Sequence, residues 1–267
     1  MDRDDLTPRD PWHALRAATG ARIALGRAGG SLPTREWLDF KAAHASARDA
    51  IHNAFDAESL AEEIRGLSSE TIVVESAAPD RDVYLQRPDL GRRLAEPSLQ
   101  QLQKWPRPAK ACEFAIVVSD GLSALAVHRQ APGLLAKLLP RLRQEQWRLA
   151  PIVVARFGRV ALEDEVGAAL GAEIALMLIG ERPGLGSPDS LGAYLVYAPR
   201  VGNTDANRNC VSNIRAEGLS IDAAAETIHY LLAEARRRQL SGVGLKDERL
   251  RLPGSERPST AKLPPSG

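Results

Sequence analysis

Three repeats of one local design predict an α/β protein whose main domain is a Rossmann-like parallel sheet, preceded by a small helical N-terminal subdomain. Phe114-Ala-Ile-Val-Val118 is an apolar run of strand length that ends in Ser119-Asp-Gly121 and gives way to a helical pattern. Pro151-Ile-Val-Val-Ala155 ends in Arg156-Phe-Gly158, and Glu173-Ile-Ala-Leu-Met-Leu-Ile179 ends in Gly180-Glu-Arg-Pro-Gly184. Strand, glycine-bearing loop and helix in alternation mark βαβ units, and their strands lie parallel. Loops that follow parallel strands emerge on one carboxyl rim, where open α/β sheets bind ligands. Residues 119–121, 156–160 and 180–185 are therefore expected to meet in space.

The remaining elements follow in order. Residues 12–26 read as helical. Ser31-Leu-Pro-Thr34 then opens a helix to about residue 55, with a hydroxyl as candidate cap and a proline near the first position. Trp37, Phe40, Ala43, Ala47, Ala50, Ile51 and Ala54 trace one apolar stripe along it, expected to pack. Past Gly66 the β-branched Thr71-Ile-Val-Val74 is a strand candidate, and a helix is expected over 98–104. The helix over 122–143 is expected to break near Pro132, and a shorter one lies around 163–170. Ser220 opens the last helix, with Asp222 complementing the dipole of its first turn and Arg236, Arg237 and Arg238 near its last. Residues 246–267, rich in Pro, Ser, Lys and Arg, read as a disordered tail. The domain reading is 1–66 helical, 67–245 Rossmann-like and 246–267 tail.

Composition narrows the function classes. Lys and Arg number 35 against 34 Asp and Glu, a net charge of +1, so no global field draws the 267-residue chain to nucleic acid or a membrane. The two cysteines, Cys112 and Cys210, stand in different contexts, which fits a reducing compartment better than a disulfide framework. Residues 1–10 are charged and hold no apolar run, so neither leader nor anchor is expected and the chain reads as cytosolic.

The chemistry concentrates in residues 180–213, which read as a binding surface because acids, loop residues and a cysteine stand where a core would place aliphatics. No G-x-G-x-x-G or G-x-x-x-x-G-K-[ST] follows any strand, which disfavours a nucleotide-dependent oxidoreductase. The five histidines form no H-E-x-x-H, and His44 and His52 do not share a helical face suited to a metal. Ser119-Asp120-Gly121 lacks the G-x-S-x-G elbow and reads as a tight turn with Asp120 capping the next helix. Glu181, at a strand's carboxyl end, needs either an internal ion pair, as with Arg182, or a ligand's donor, because an unpaired buried carboxylate costs several kcal/mol. Cys210 has no neighbouring histidine or second cysteine and reads as a contact residue rather than a nucleophile.

Seven segments together resemble the small (light) subunit of ethanolamine ammonia-lyase. They are Ala21-Arg-Ile-Ala-Leu-Gly-Arg-Ala-Gly29, Ser31-Leu-Pro-Thr34, Ala43-His-Ala-Ser-Ala-Arg-Asp49, Ser119-Asp-Gly-Leu-Ser-Ala124, Ala155-Arg-Phe-Gly-Arg-Val160, Gly180-Glu-Arg-Pro-Gly-Leu185 and Arg208-Asn-Cys-Val-Ser-Asn-Ile214, in order over nearly the whole chain. The resemblance implies a carbon–nitrogen lyase that converts ethanolamine to acetaldehyde and ammonia by a radical route begun at adenosylcobalamin's cobalt–carbon bond. It implies a hetero-oligomer in which a separate large subunit carries the substrate site and the small subunit closes over the corrinoid at the interface. The family's cobalamin contacts fall on Val160, Glu181 and Cys210, with no catalytic residue or metal ligand assigned to this chain. The D-x-H-x-x-G of corrinoid proteins that replace the lower base is absent, so the cofactor's own base is expected to stay on cobalt. Encapsulation in a bacterial microcompartment is left open. The rival reading is a noncatalytic α/β ligand-binding or interaction module using the same rim.

Overall fold

The computed structural model describes residues 10–67, 69–106 and 112–249. In chain order the elements are α1 (Thr34–His52), α2 (Ala57–Gly66), β1 (Thr71–Glu75), α3 (Arg81–Gln86), α4 (Glu96–Lys104), β2 (Phe114–Ser119), α5 (Ala124–Gln144), β3 (Ile152–Arg156) and α6 (Leu162–Leu170). There follow β4 (Ile174–Gly180), β5 (Leu191–Tyr197), β6 (Arg208–Ile214) and α7 (Ile221–Arg238). The strands form one sheet in the order β1-β3-β2-β4-β5-β6. The four strands from β1 to β4 pair in parallel, as an α/β fold requires. β5 and β6 extend the sheet antiparallel to β4 and to each other.

Because successive strand residues face opposite sides, β2 feeds two cores. Phe114, Ile116 and Val118 pack under α2, α5 and α7, while Ala115 and Val117 pack under α4 and α6. All five are buried, which is why the strand reads as a continuous apolar run rather than an alternation. α2 falls within residues 1–66, yet Ala57, Leu60, Ala61 and Ile64 lie fully buried in the first core.

Several expectations are corrected. Residues 12–26 are not an α-helix: only a 3-10 turn at His13–Ala18 forms, and none of its residues is buried. Without a buried face to reward it, a segment broken by Gly20 and Gly26 does not propagate a helix. α1 starts behind Pro33, with no side-chain cap from Ser31, and only Ala47 and Ala50 of its stripe are buried. α5 runs unbroken through Pro132 and Pro140. The burial of Leu134, Leu135, Leu138, Leu139 and Leu142 beneath it outweighs the lost backbone bonds. Ser123, not Asp120, caps α5, accepting from the Ala126 N–H. The region 180–213, read as a binding surface of loop residues, contains two strands, and Cys210 lies on the second of them, β6. β6 is an edge strand with a solvated face, and its polar residues hide its period. Ser220 caps α7 as read. Of the tail, residues 250–267 lie outside the described residues. No helix among the described residues is long and apolar enough to cross a membrane.

Candidate functional site

The loops after β2, β3 and β4 converge on the carboxyl rim. The Phe157 N–H donates to Asp120 Oδ1 (2.7 Å), the Gly158 N–H to Ser119 Oγ (2.9 Å) and the Leu122 N–H to the Gly180 carbonyl (2.9 Å). Glycine at 121 and 180 makes the last approach possible. Gly121 sits at φ 53°, and a Cβ on it would run into the Gly180 carbonyl and the Ile179 side chain.

Arg81, at the start of α3, ties the loop after β1 to the same rim. Its Nη1 donates to Asp120 Oδ2 (2.9 Å) and the Gly121 carbonyl (2.7 Å), while Nε and Nη2 reach the Ile51 carbonyl at the end of α1. Burial raises the Asp120 carboxyl to about 6, against the pull of Arg81 and of the Phe157 N–H. The Tyr84 hydroxyl donates to the Gly158 carbonyl, and the Arg159 guanidinium stacks 4.2 Å above the Tyr84 ring. Burial pushes the Tyr84 phenol up, with Arg159 opposing.

This framework surrounds a cavity of about 370 Å³ whose lining includes Tyr84, Gly121, Arg159, Val160, Glu181 and Tyr194. Val160 and Glu181 therefore share one site. The Glu181 backbone is fixed by its N–H bond to the Ser190 carbonyl (3.0 Å), and Oε2 accepts from the Ser190 hydroxyl (2.5 Å) and the Asn213 N–H (3.3 Å). No ion pair to Glu181 occurs among the described residues, so Arg182 does not neutralise it. Gly192 leaves its carboxylate room, since a Cβ there would stand 2.9 Å from Oε1. Phe157 (φ 55°) and Asn213 (φ 58°) are both left-handed non-glycine residues, and each spends its N–H on a rim carboxylate. Such strain persists where the surroundings over-determine it.

Cys210 does not line the cavity. It is Tyr194's cross-strand partner on β6, and the two side chains lie close enough to influence each other's titration. Cys210 lies on the exposed face of β6, yet partial burial of its sulfur raises the thiol, the Tyr194 hydroxyl opposes, and the Glu181 carboxylate adds to the rise. Burial likewise raises the Tyr194 phenol, and Cys210 adds to it.

Sequence reasoning missed Arg81, Tyr84, Arg159, Gly192 and Tyr194. Arg159 precedes Val160 in a loop already singled out, and Tyr194 stands in the strand-like Leu191-Gly-Ala-Tyr-Leu-Val-Tyr197; those were the available signals. A second charged cluster, Arg208 with Glu163 (2.8 Å) and Asp164 (2.6 Å), is buried between β6 and α6. Among the described residues no group of three or more His, Cys, Asp or Glu could hold a metal ion.

A mostly parallel sheet covered by helices, with the loops after β2, β3 and β4 meeting around a cavity at its carboxyl rim, defines a mixed α/β protein with a rim cavity. The chain belongs to the ethanolamine ammonia-lyase light chain family, whose model matches residues 9–246. It is 57% identical over 249 residues to the ethanolamine ammonia-lyase small subunit of Pseudomonas putida (strain W619), covering 93% of this chain and 92% of that protein. The small subunits of Xanthomonas campestris pv. campestris (strain B100; 55% identical, 93% and 92% covered) and Pseudomonas syringae pv. tomato (54%, 92% and 86%) are similar to it over the same extent.

Proposed function

We propose that this chain is the corrinoid-contacting small subunit of an adenosylcobalamin-dependent ethanolamine ammonia-lyase, joined to a large subunit that carries the substrate site. The observation that carries the reading is the Glu181 carboxylate, held in place by Ser190 and Asn213, without an ion pair, on the wall of the rim cavity beside Val160.

The donor set suits a corrinoid, an apolar macrocycle fringed by amide side chains. Glu181 would accept from amide N–H groups, and the Arg159 guanidinium, at the cavity lining over the Tyr84 ring, would offer donors to amide carbonyls. Val160 would offer the macrocycle an apolar contact, and Cys210 would support the wall through Tyr194. When bound, adenosylcobalamin supplies a weak cobalt–carbon bond whose homolysis starts radical chemistry. This chain's part is to orient the group and keep water from it. A volume of about 370 Å³ is near the lower end for drug-sized ligands, and a corrinoid is much larger, so this rim supplies one wall of a two-walled site.

The test is ammonia release from ethanolamine by the co-expressed subunits with and without adenosylcobalamin. Cofactor-dependent release is expected, and its absence would return the chain to a noncatalytic rim-binding module. Glu181→Ala is expected to weaken adenosylcobalamin binding by about 10- to 100-fold, the worth of a charged hydrogen bond, while the subunits still assemble.

A further inference from the structure

Residues 12–40 form an arm that the body of the protein does not cover. The apolar stripe of α1 continues on one face from Ala50 and Ala47, which are buried, to Phe40 and Trp37, which are 41% and 47% exposed. One half of a single stripe thus packs on this chain and the other half runs on uncovered. The preceding 3-10 turn is fixed to that uncovered half by the Arg16–Glu36 ion pair (2.8 Å), and it presents Trp12, 67% exposed, and Leu15. The Arg22 guanidinium reaches the Leu185 carbonyl (3.5 Å), four residues beyond Glu181, so the arm runs beside the loop that forms the cavity wall.

We propose that this arm is the docking surface for the large subunit, with Trp12, Leu15, Trp37 and Phe40 seated on an apolar face of that partner. Exposed large apolar side chains gathered on two linked elements mark an interaction site, and exposed tryptophans are the side chains that dominate such contacts. The inference rests on the small-subunit reading. A second copy of this chain fits less well, because it would bring the same one-sided rim and leave both cavities with one wall. The large subunit supplies the missing wall, and the arm stands next to the edge where that wall must close.

The experiment measures the affinity of the full-length chain for its large subunit by size-exclusion with light scattering and by biosensor titration. Wild type is compared with Trp37→Glu/Phe40→Glu, with Trp12→Glu on the turn, and with Val243→Glu, a control at an exposed site elsewhere. The expected result is a loss of about tenfold or more in affinity for the arm variants, none for the control, and an unchanged melting temperature of each isolated chain. Trp12→Glu keeps the test decisive should the α1 double variant fail to fold. Unchanged affinity in the arm variants overturns the docking proposal and leaves the small-subunit reading intact. Failure of wild type to assemble sinks that reading first. A wild-type homodimer that the arm variants dissolve assigns the face to a second copy and also overturns the proposal.

Discussion

Arg81 and the buried Asp120 form an ion pair, Nη1 to Oδ2 at 2.9 Å, and the same half-buried guanidinium holds the carbonyls of Gly121 and Ile51. One side chain thus joins the end of α1, the β2 loop and, through the Phe157 N–H on Asp120, the β3 loop. Asp120 is 1% exposed, and burial sets its carboxyl at about 6 despite the arginine.

That value fixes a pH dependence. The folded protein holds the Asp120 proton up to about pH 6, whereas the unfolded chain releases it near the ordinary carboxyl range of about 4. The contribution is therefore fully present below about pH 4 and is lost as pH rises through 6, by an amount on the order of 3 kcal/mol. Urea unfolding of wild type and Asp120→Asn across pH 4 to 7 checks it. The stability of wild type relative to the variant is expected to fall as pH rises, and a flat or rising difference refutes the assignment.

The rim approach predicts intolerance of a methyl group at Gly180. A Cβ there would strike the Ser123 and Asp120 carbonyl oxygens, both backbone atoms that cannot swing aside. Gly180→Ala is expected to cost about 1–3 kcal/mol in thermal unfolding, the range for overpacking. If the chain contacts a corrinoid as proposed, it should also weaken cobalamin binding by the assembled subunits, because the β2 and β4 loops part. A variant with wild-type stability would mean that the loops do not touch there.

The rim was legible because its loops follow buried strands: uninterrupted apolar runs ending in Ser119-Asp-Gly121, Arg156-Phe-Gly158 and Gly180-Glu-Arg-Pro-Gly184 need no tertiary knowledge to place side by side. Val160 and Glu181 came with them. Tyr84 and Arg81 could not be read this way, since α3 is only six residues long and its role depends on the fold bringing β1 beside β3. β5 and β6 were obscured by Gly192 and by solvated polar residues, and Gly192 is there because Glu181 occupies the space a side chain would fill. The exposed half of the α1 stripe misled in the opposite sense. Periodicity reports that a face is to be buried, not which chain buries it.

The buried cluster on β6 predicts a large, pH-dependent loss. Arg208 faces Glu163 and Asp164, with all three side chains at 3% exposure or less, and burial raises Glu163 well above the ordinary carboxyl range. Arg208→Met strands two carboxyls and is expected to cost about 3–5 kcal/mol in urea unfolding. Without the arginine, whose charge opposes the rise, Glu163 is pushed further up, so its protonation relieves the variant. The loss should be smaller at pH 5 than at pH 8, and an equal loss at both would show that the carboxyls are not its cause.

The Tyr194–Cys210 pair predicts how the thiol titrates. Burial holds the Cys210 thiol above its ordinary value, the Glu181 carboxylate raises it further, and the Tyr194 hydroxyl pulls the other way. The rate of iodoacetamide alkylation against pH reads this directly, because the other cysteine, Cys112, is 2% exposed and silent in the folded chain. Removing the carboxylate in Glu181→Gln should move the midpoint down, and removing the hydroxyl in Tyr194→Phe should move it up. Opposite shifts place Cys210, Tyr194 and Glu181 in one electrostatic unit beside the cavity. Midpoints unchanged in both variants would separate Cys210 from the site that Glu181 occupies.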